Sequence, residues 1–218
     1  MIELKAVTKS YRTNSGKKYV FRDLSFVIPS NKNIAIVGRN GAGKSTLMRL
    51  LGGQDSPDSG RISTSQTISW PVGLTGGFQG SMSGRQNVKF VARVHGALGA
   101  RMTEVVRYVE EFAELGRYFD HPVNTYSSGM RGRLAFGLSM AFDFDYYLVD
   151  EAMSVGDAQF KKKATSEFKS KTRSANIILV THGMTQVRTL CDIVLLIDNG
   201  KIQRFDDIEE GIAAYSAL

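Results

Sequence analysis

The hydrophobic positions of this chain alternate between short unbroken runs and stretches of helical spacing. Ile34-Ala35-Ile36-Val37, Tyr146-Tyr147-Leu148-Val149, Ile177-Ile178-Leu179-Val180 and Val194-Leu195-Leu196-Ile197 are continuous apolar runs. Runs so short and uninterrupted predict strands buried on both faces, as in a mostly parallel sheet flanked by helices. Between them, Leu47, Leu50 and Leu51 predict a helix that Gly52-Gly53 stops, and Gln86 to Phe119 carries two further helical patterns. The second of these gathers Val105, Val106, Val109, Phe112 and Leu115 on one side. Leu134, Leu138 and Phe142 mark a third helix, Phe160, Ala164 and Phe168 a fourth, and Ile212 with Tyr215 a short amphipathic one. The beginning differs in kind. Ile2 to Val7 alternates, and Phe21, Leu24, Phe26 and Ile28 restart an apolar pattern, predicting two antiparallel strands joined by a basic loop over Thr13 to Lys18. Arg61-Ile62-Ser63 reads as a strand leaving a dense turn, and Asp198-Asn199-Gly200 as a hairpin turn. The expected architecture is α/β: one domain over 1–218, with an N-terminal antiparallel β subdomain and a helical subdomain inserted from about 84 to about 143.

The first strand run leads into Gly38-Arg39-Asn40-Gly41-Ala42-Gly43-Lys44-Ser45-Thr46, which fits the pattern G-x-x-x-x-G-K-[ST] at every fixed position. The glycines let successive N–H groups of the loop point at one phosphate, and the helix that opens there adds its positive end. Lys44 supplies a point charge to β- and γ-phosphates, and the Ser45 hydroxyl can take one corner of a Mg²⁺ octahedron. A second strand run ends in Asp150-Glu151 and a third in Thr181-His182. Ligands of parallel α/β sheets collect at the carboxyl ends of strands, so these side chains are expected beside the phosphate loop. Asp150 suits the Mg²⁺ shell and Glu151 the polarisation of an attacking water; His182 is either a γ-phosphate contact or a structural histidine. Tyr11 could stack on adenine or serve as a strand-end core aromatic, with Tyr19 as the other candidate. The glycine-rich stretch Gly73 to Gly80 suggests a hinge that moves Gln79 toward or away from a bound metal and phosphate. Tyr126-Ser127-Ser128-Gly129-Met130 places a serine and glycine cluster at another helix start.

Composition narrows the class. Lys and Arg outnumber Asp and Glu by 28 to 21, and the pI is near 9.5, compatible with nucleic acid, an anionic membrane surface or simple solubility. The single cysteine, Cys191, excludes an internal disulfide or a cysteine-built metal site and reads as an inert thiol. No stretch approaches the length of a membrane span, and the first residues lack the plan of a secretion signal, so the chain is expected in the cytosol or peripheral to a membrane. The run Lys161-Lys162-Lys163 reads as a solvated face, and His95 and His121 as ordinary histidines.

In order, the phosphate loop, Gln79, the Ser-Ser-Gly helix start, Asp150-Glu151, Ser154-x-x-Asp157 and His182 resemble the ATP-binding cassette ATPases, P-loop NTPases, over essentially the whole chain. The resemblance implies adenine stacking by Tyr11, a Q-loop role for Gln79, signature roles for Ser127 and Gly129, a D-loop role for Asp157 and a switch role for His182. It also implies ATP and Mg²⁺ as ligands, with Gly38, Asn40, Gly41, Gly43, Lys44, Ser45 and Thr46 around the phosphates and Ser45, Gln79 and Asp150 around the metal. The usual signature Leu-Ser-Gly-Gly-Gln is replaced by Tyr126-Ser127-Ser128-Gly129-Met130, a form similar to that of cell-surface polysaccharide exporters. The compact length and Gly77-Phe78-Gln79-Gly80-Ser81-Met82-Ser83-Gly84 are most similar to capsular polysaccharide exporters, with O-antigen or teichoic acid export as the alternative. Only about twenty residues follow the last hairpin, leaving no room for an added sugar-binding domain. The implied partners are an integral-membrane permease subunit, through which the polysaccharide is handled, and a second copy of the nucleotide-binding domain. The implied location is the cytoplasmic face of the inner membrane. Neither the long coiled-coil insert of DNA-repair cassettes nor a second cassette is present, so no nucleic acid is expected. A P-loop kinase would lack the Ser127-Gly129 element.

Overall fold

The computed structural model describes residues 1–14, 16–73, 76–150 and 157–218. These residues divide into two compact units: Met1–Pro71, Phe144–Glu151 and Ser174–Leu218 form the first, Val72–Asp143 and Ala152–Arg173 the second.

The first unit contains two sheets among the described residues. β1 (Ile2–Thr13) lies between β2 (Gly16–Ile28) and β4 (Ser59–Thr64), antiparallel to both. The basic segment expected to be a loop is largely strand. Arg12 faces Lys17 and Tyr11 faces Lys18 in register, and Thr13 Oγ1 donates to the Gly16 carbonyl at 2.7 Å, so the ladder runs to the turn itself. The second sheet has the order β5 (Ile68–Pro71), β6 (Tyr146–Asp150), β7 (Asn176–Val180), β3 (Ile34–Val37), β8 (Ile193–Asp198) and β9 (Lys201–Phe205). All neighbours are parallel except the hairpin pair β8 and β9.

The continuous apolar runs are explained by what covers each face. Ile34 and Ile36 of β3 pack with Leu47, Met48, Leu50 and Leu51 of α1 (Lys44–Leu51). Ala35 and Val37, pointing the other way, pack with Val187 of α6 (Met184–Leu190) and Ile212 of α7 (Ile208–Ser216). With both faces in helices, a strand has no position at which a polar side chain would meet water.

The second unit is helical: α2 (Gly84–Val94), α3 (Gly99–Ala113), α4 (Ser128–Met140) and α5 (Ala158–Lys171), with short 3-10 turns at Gly116–Asp120 and Val123–Thr125. Its centre is aromatic. Phe112 of α3 stacks on Phe136 of α4 at 5.8 Å and meets Phe160 of α5 edge-on at 5.5 Å. Gly137 permits this approach, since a Cβ there would lie 3.1 Å from the Phe112 ring. The third helical pattern stops earlier than its spacing suggests, and Phe142 packs in the following turn against His95, ring centroids 5.2 Å apart.

Candidate active site

The phosphate loop joins β3 to α1, and its glycines serve different purposes. Gly38 has φ 151° and approaches β8 so closely that a Cβ would stand 2.3 Å from the Ile197 carbonyl oxygen. Gly43, at φ 114°, is the N-cap of α1, and a Cβ there would lie 2.6 Å from Val20 Cγ1. Left-handed backbone in so confined a space admits only glycine at either position. Lys44 is buried at the head of α1 and its Nζ donates to the carbonyls of Gly38 at 2.6 Å and Arg39 at 3.1 Å. The ammonium group is thereby held inside the curve of the loop. Thr46 is buried, Ser45 exposed.

Strand register brings the other first-unit candidates to the same edge. Asp150 pairs with Val180, and Val180 pairs with Ile36 of β3, so the ends of β6, β7 and β3 lie level. One cleft of about 420 Å³ is lined by Tyr11, Asn40, Gly41, Gly43, Lys44, Ser45, Thr46, Asp150 and His182, together with Lys18 and Arg49. These are hard oxygen donors, a buried ammonium, backbone amides at a helix start and an aromatic ring, the set expected around a polyphosphate with a base attached. Ser45 and Asp150 offer the hydroxyl and carboxylate oxygens that Mg²⁺ prefers. Among the described residues no group of three or more His, Cys, Asp or Glu could hold a metal ion by itself.

Tyr11 belongs to a polar network that sequence reading did not find. Its hydroxyl donates to Asp55 Oδ2 at 2.9 Å and accepts from Arg49 at 3.2 Å, while Asp55 Oδ1 accepts from Lys9 Nζ at 2.5 Å. Lys9, in a hydrogen bond and ion pair with Asp55, holds that carboxyl below its ordinary value, and the same pairing raises Lys9. Asp55 lies more than forty positions along the chain from Lys9 and Tyr11, and the pairing of β1 with β4 brings it to them. Tyr19, the other aromatic candidate, is exposed, with the Arg22 guanidinium 3.9 Å from its ring centre. His182 sits within a tight turn in which the Gly183 amide donates to Thr181 Oγ1 at 2.9 Å and that hydroxyl donates to Gln186 at 2.8 Å. Its Nδ1 lies 2.8 Å from the Tyr215 hydroxyl.

The remaining candidates belong to the second unit. The Gln79 amide donates to Asn87 Oδ1 at 2.8 Å, and its side-chain nitrogen donates to Ser81 Oγ at 3.3 Å. Asn87, buried on α2, returns hydrogen bonds to the carbonyls of Gln79, Met82 and Ser83 at 3.1, 3.2 and 2.9 Å. Ser127 is the N-cap of α4, accepting from the Met130 amide at 3.2 Å, and Gly129 lies in the first turn. Asp157 caps α5 by accepting from the Phe160 amide at 2.9 Å, and it pairs with Arg133 of α4. The Phe160 amide, helped by Arg133, holds the Asp157 carboxyl below its ordinary value. Glu151 and Ser154 lie outside the described residues, as do Leu74 and Thr75 in the glycine-rich stretch. Burial pushes the Cys191 thiol up to about 12, in keeping with an inert side chain.

A phosphate loop between a buried strand and a helix, with an acid and a histidine at the neighbouring strand ends, defines a nucleotide-binding ATPase core. The family model described as ABC transporter matches residues 21–154, and the chain belongs to that family. It is 54% identical over 216 residues to the polysialic acid transport ATP-binding protein KpsT of Escherichia coli, covering 99% of this chain and 96% of that protein. It is 41% identical over 218 residues to the capsule polysaccharide export ATP-binding protein CtrD of Neisseria meningitidis serogroup B (strain ATCC BAA-335 / MC58), covering both in full. The ATP-binding cassette MJ0796, solved as a dimer in a post-hydrolysis state with ADP and Pi, matches with a TM-score of 0.72 at 20% identity, covering 94% of this chain and 98% of that one. The last likeness speaks for the fold.

Proposed function

We propose that this chain is the ATP-hydrolysing motor subunit of an exporter that drives a capsular-type polysaccharide across the inner membrane. It works from the cytoplasmic face on a separate permease subunit. The observation that carries the reading is the single cleft in which Lys44, Ser45, Asp150, His182 and Tyr11 meet. The polymer class rests on the 54% likeness to a polysialic acid transport protein along nearly the whole chain. Among the described residues no helix is long and apolar enough to cross a membrane, so the path for the polymer falls to another chain.

The proposed chemistry is phosphoryl transfer to water. The amides of Asn40, Gly41 and Gly43 and the start of α1 hold the phosphates, and Lys44 neutralises charge building on the β–γ bridge. Tyr11 stacks on adenine. Ser45 and Asp150, and in this reading Gln79, would hold Mg²⁺, which would screen the charge of the phosphate oxygens. Glu151 orients and polarises the attacking water, and His182 donates to a γ-phosphate oxygen. Ser127, Gly129 and Asp157 act on the nucleotide of a second copy, so that two chains close over two ATPs. Deleting the gene should leave polymer inside the cell and the surface bare, and Lys44→Ala should fail to restore it. Normal surface polysaccharide in the deletion strain, with a different solute retained, would overturn the substrate assignment and leave the ATPase reading standing.

A further inference from the structure

The contact between His182 and Tyr215 joins the proposed site to the last helix of the chain. α7 is firmly placed. Gly211 sits so tightly on β8 that a Cβ would lie 2.6 Å from Val194 Cβ, and Ile212 is buried among Ala35, Val37 and Leu196. Arg188 of α6 holds Glu209 through two hydrogen bonds of 2.7 and 2.9 Å, and Asp207 caps α7 by accepting from the Glu210 amide at 2.9 Å. The histidine side is held equally well by the Thr181, Gly183 and Gln186 turn. A hydroxyl and a ring nitrogen 2.8 Å apart, each on an element held by its own contacts, lie within hydrogen-bond distance.

We propose that Tyr215 is a positioning residue that sets the tautomer and orientation of His182; the inference rests on the reading of His182 as a γ-phosphate contact. In the proposed pair the phenol O–H donates to Nδ1, and a neutral imidazole that accepts at Nδ1 carries its proton on Nε2. The ring therefore turns an N–H group, not a lone pair, away from α7. Of the two neutral tautomers, only that one can donate from Nε2 to a phosphate oxygen. The contact transfers no proton, and Tyr215 acts entirely through the histidine. It also makes the placement of α7 against β8 a condition for a competent switch histidine, tying turnover to the end of the chain.

Tyr215→Phe tests this, since it deletes the hydroxyl and keeps the ring that packs at the end of α7. The chain has only three histidines, so ¹⁵N spectra of the histidine-labelled protein can be read one ring at a time, with His182→Gln assigning the signal. The full chain should show an unprotonated, accepting Nδ1 and a protonated Nε2 at His182. Tyr215→Phe should move both signals toward the averaged pattern of an unrestrained imidazole. In the permease-reconstituted complex its kcat should fall roughly tenfold while KM stays within about twofold, because a group that acts late on the γ-phosphate affects turnover more than binding. Spectra unchanged by Tyr215→Phe overturn the proposal, as does a changed spectrum with unchanged kcat. Undiminished hydrolysis in His182→Gln overturns the catalytic reading of His182 instead, and the spectra then still decide whether Tyr215 sets the ring.

Discussion

Under the proposed function, Tyr11 is a single side chain placed for its ligand by its neighbours. Its hydroxyl is fixed between Arg49 and Asp55, and Lys9 lies 5.3 Å from the ring centre, so the aromatic face is held at the cleft before any base arrives. A ring already immobilised loses little entropy on stacking. Tyr11→Ala should raise the Kd for ATP by roughly tenfold, the scale of a lost aromatic contact of about 1.4 kcal/mol, whereas Tyr11→Phe should keep most of the affinity. Equilibrium titration with a fluorescent ATP analogue distinguishes the two, and equal losses would mean that the hydroxyl network rather than the ring face matters. The carboxylate of that network also has a pH signature. Asp55 is held below its ordinary value of 3.8, so its contribution to stability is complete above that value and is lost as pH falls through the lower folded value. Lys9 is raised above 10.5, so its contribution is present below that value and fades as alkaline pH passes the folded one. Urea midpoints from pH 6 down to pH 3 should therefore fall more for the native chain than for Asp55→Asn, the two curves converging at the acid end.

At the scale of elements, the junction between the glycine-rich stretch and α2 is densely cross-tied. Ser83 and Gln86 form a capping box at the head of α2, Asn87 binds the backbone at Gln79, Met82 and Ser83, and the amides of Val123 and Asn124 donate to Met82 and Gly80 at 2.9 Å each. Gln79 thus follows α2 rather than swinging alone. Asn87→Ala would take the acceptor from the Gln79 amide and one of two donors from each of the Gln79, Met82 and Ser83 carbonyls, and should lower unfolding stability by about 1–3 kcal/mol, while Ser83→Ala, which removes one cap, should cost about 1 kcal/mol. Denaturant melts give both values. If Asn87 also ties Gln79 to the helix, its variant should weaken stimulation of hydrolysis by the permease more than Ser83→Ala does. The buried strands were legible because a strand with helices on both faces needs no polar position, and α1 because its leucines share one face. β5 was not. Its Ser69 is wholly buried, with its hydroxyl accepting from the Leu148 amide at 2.9 Å and donating to the Trp70 carbonyl at 2.7 Å, and its last residue is Pro71. A satisfied buried serine and a proline on an edge strand look, in sequence, like the end of a strand. The partners of Tyr11 and His182 were illegible for a different reason: Asp55 and Tyr215 sit in segments with no motif of their own and are brought to the site by strand pairing and helix docking.

For the whole molecule, the proposed chemistry is divided between the two compact units. Lys44, Ser45, Asp150 and His182 belong to the first, and Gln79, Ser127, Gly129 and Asp157 to the second. Phosphate-loop and strand-end residues follow local patterns and so could be read directly, but two helix starts capped by Ser127 and Asp157 carry no statement of which nucleotide they serve. The head of α4 offers free amide direction and a serine hydroxyl suited to a γ-phosphate, and under the proposed function that phosphate is bound by the partner copy. Nucleotide should then act as the bond between two chains. Its contribution to dimer stability lasts only while the γ-phosphate is intact, since ADP removes the group that both copies would hold. Glu151→Gln, which under the proposed function would spare binding and stop polarisation of the water, should therefore sediment as a dimer with ATP and Mg²⁺ and as a monomer with ADP. Ser127→Ala on that background should weaken the dimer without altering the affinity of one chain for ATP, because under the proposed function Ser127 acts only across the interface. A monomer under every nucleotide condition at high concentration, with and without the permease, would remove the shared site; an equal loss of single-chain ATP affinity in Ser127→Ala would place that serine beside its own nucleotide instead.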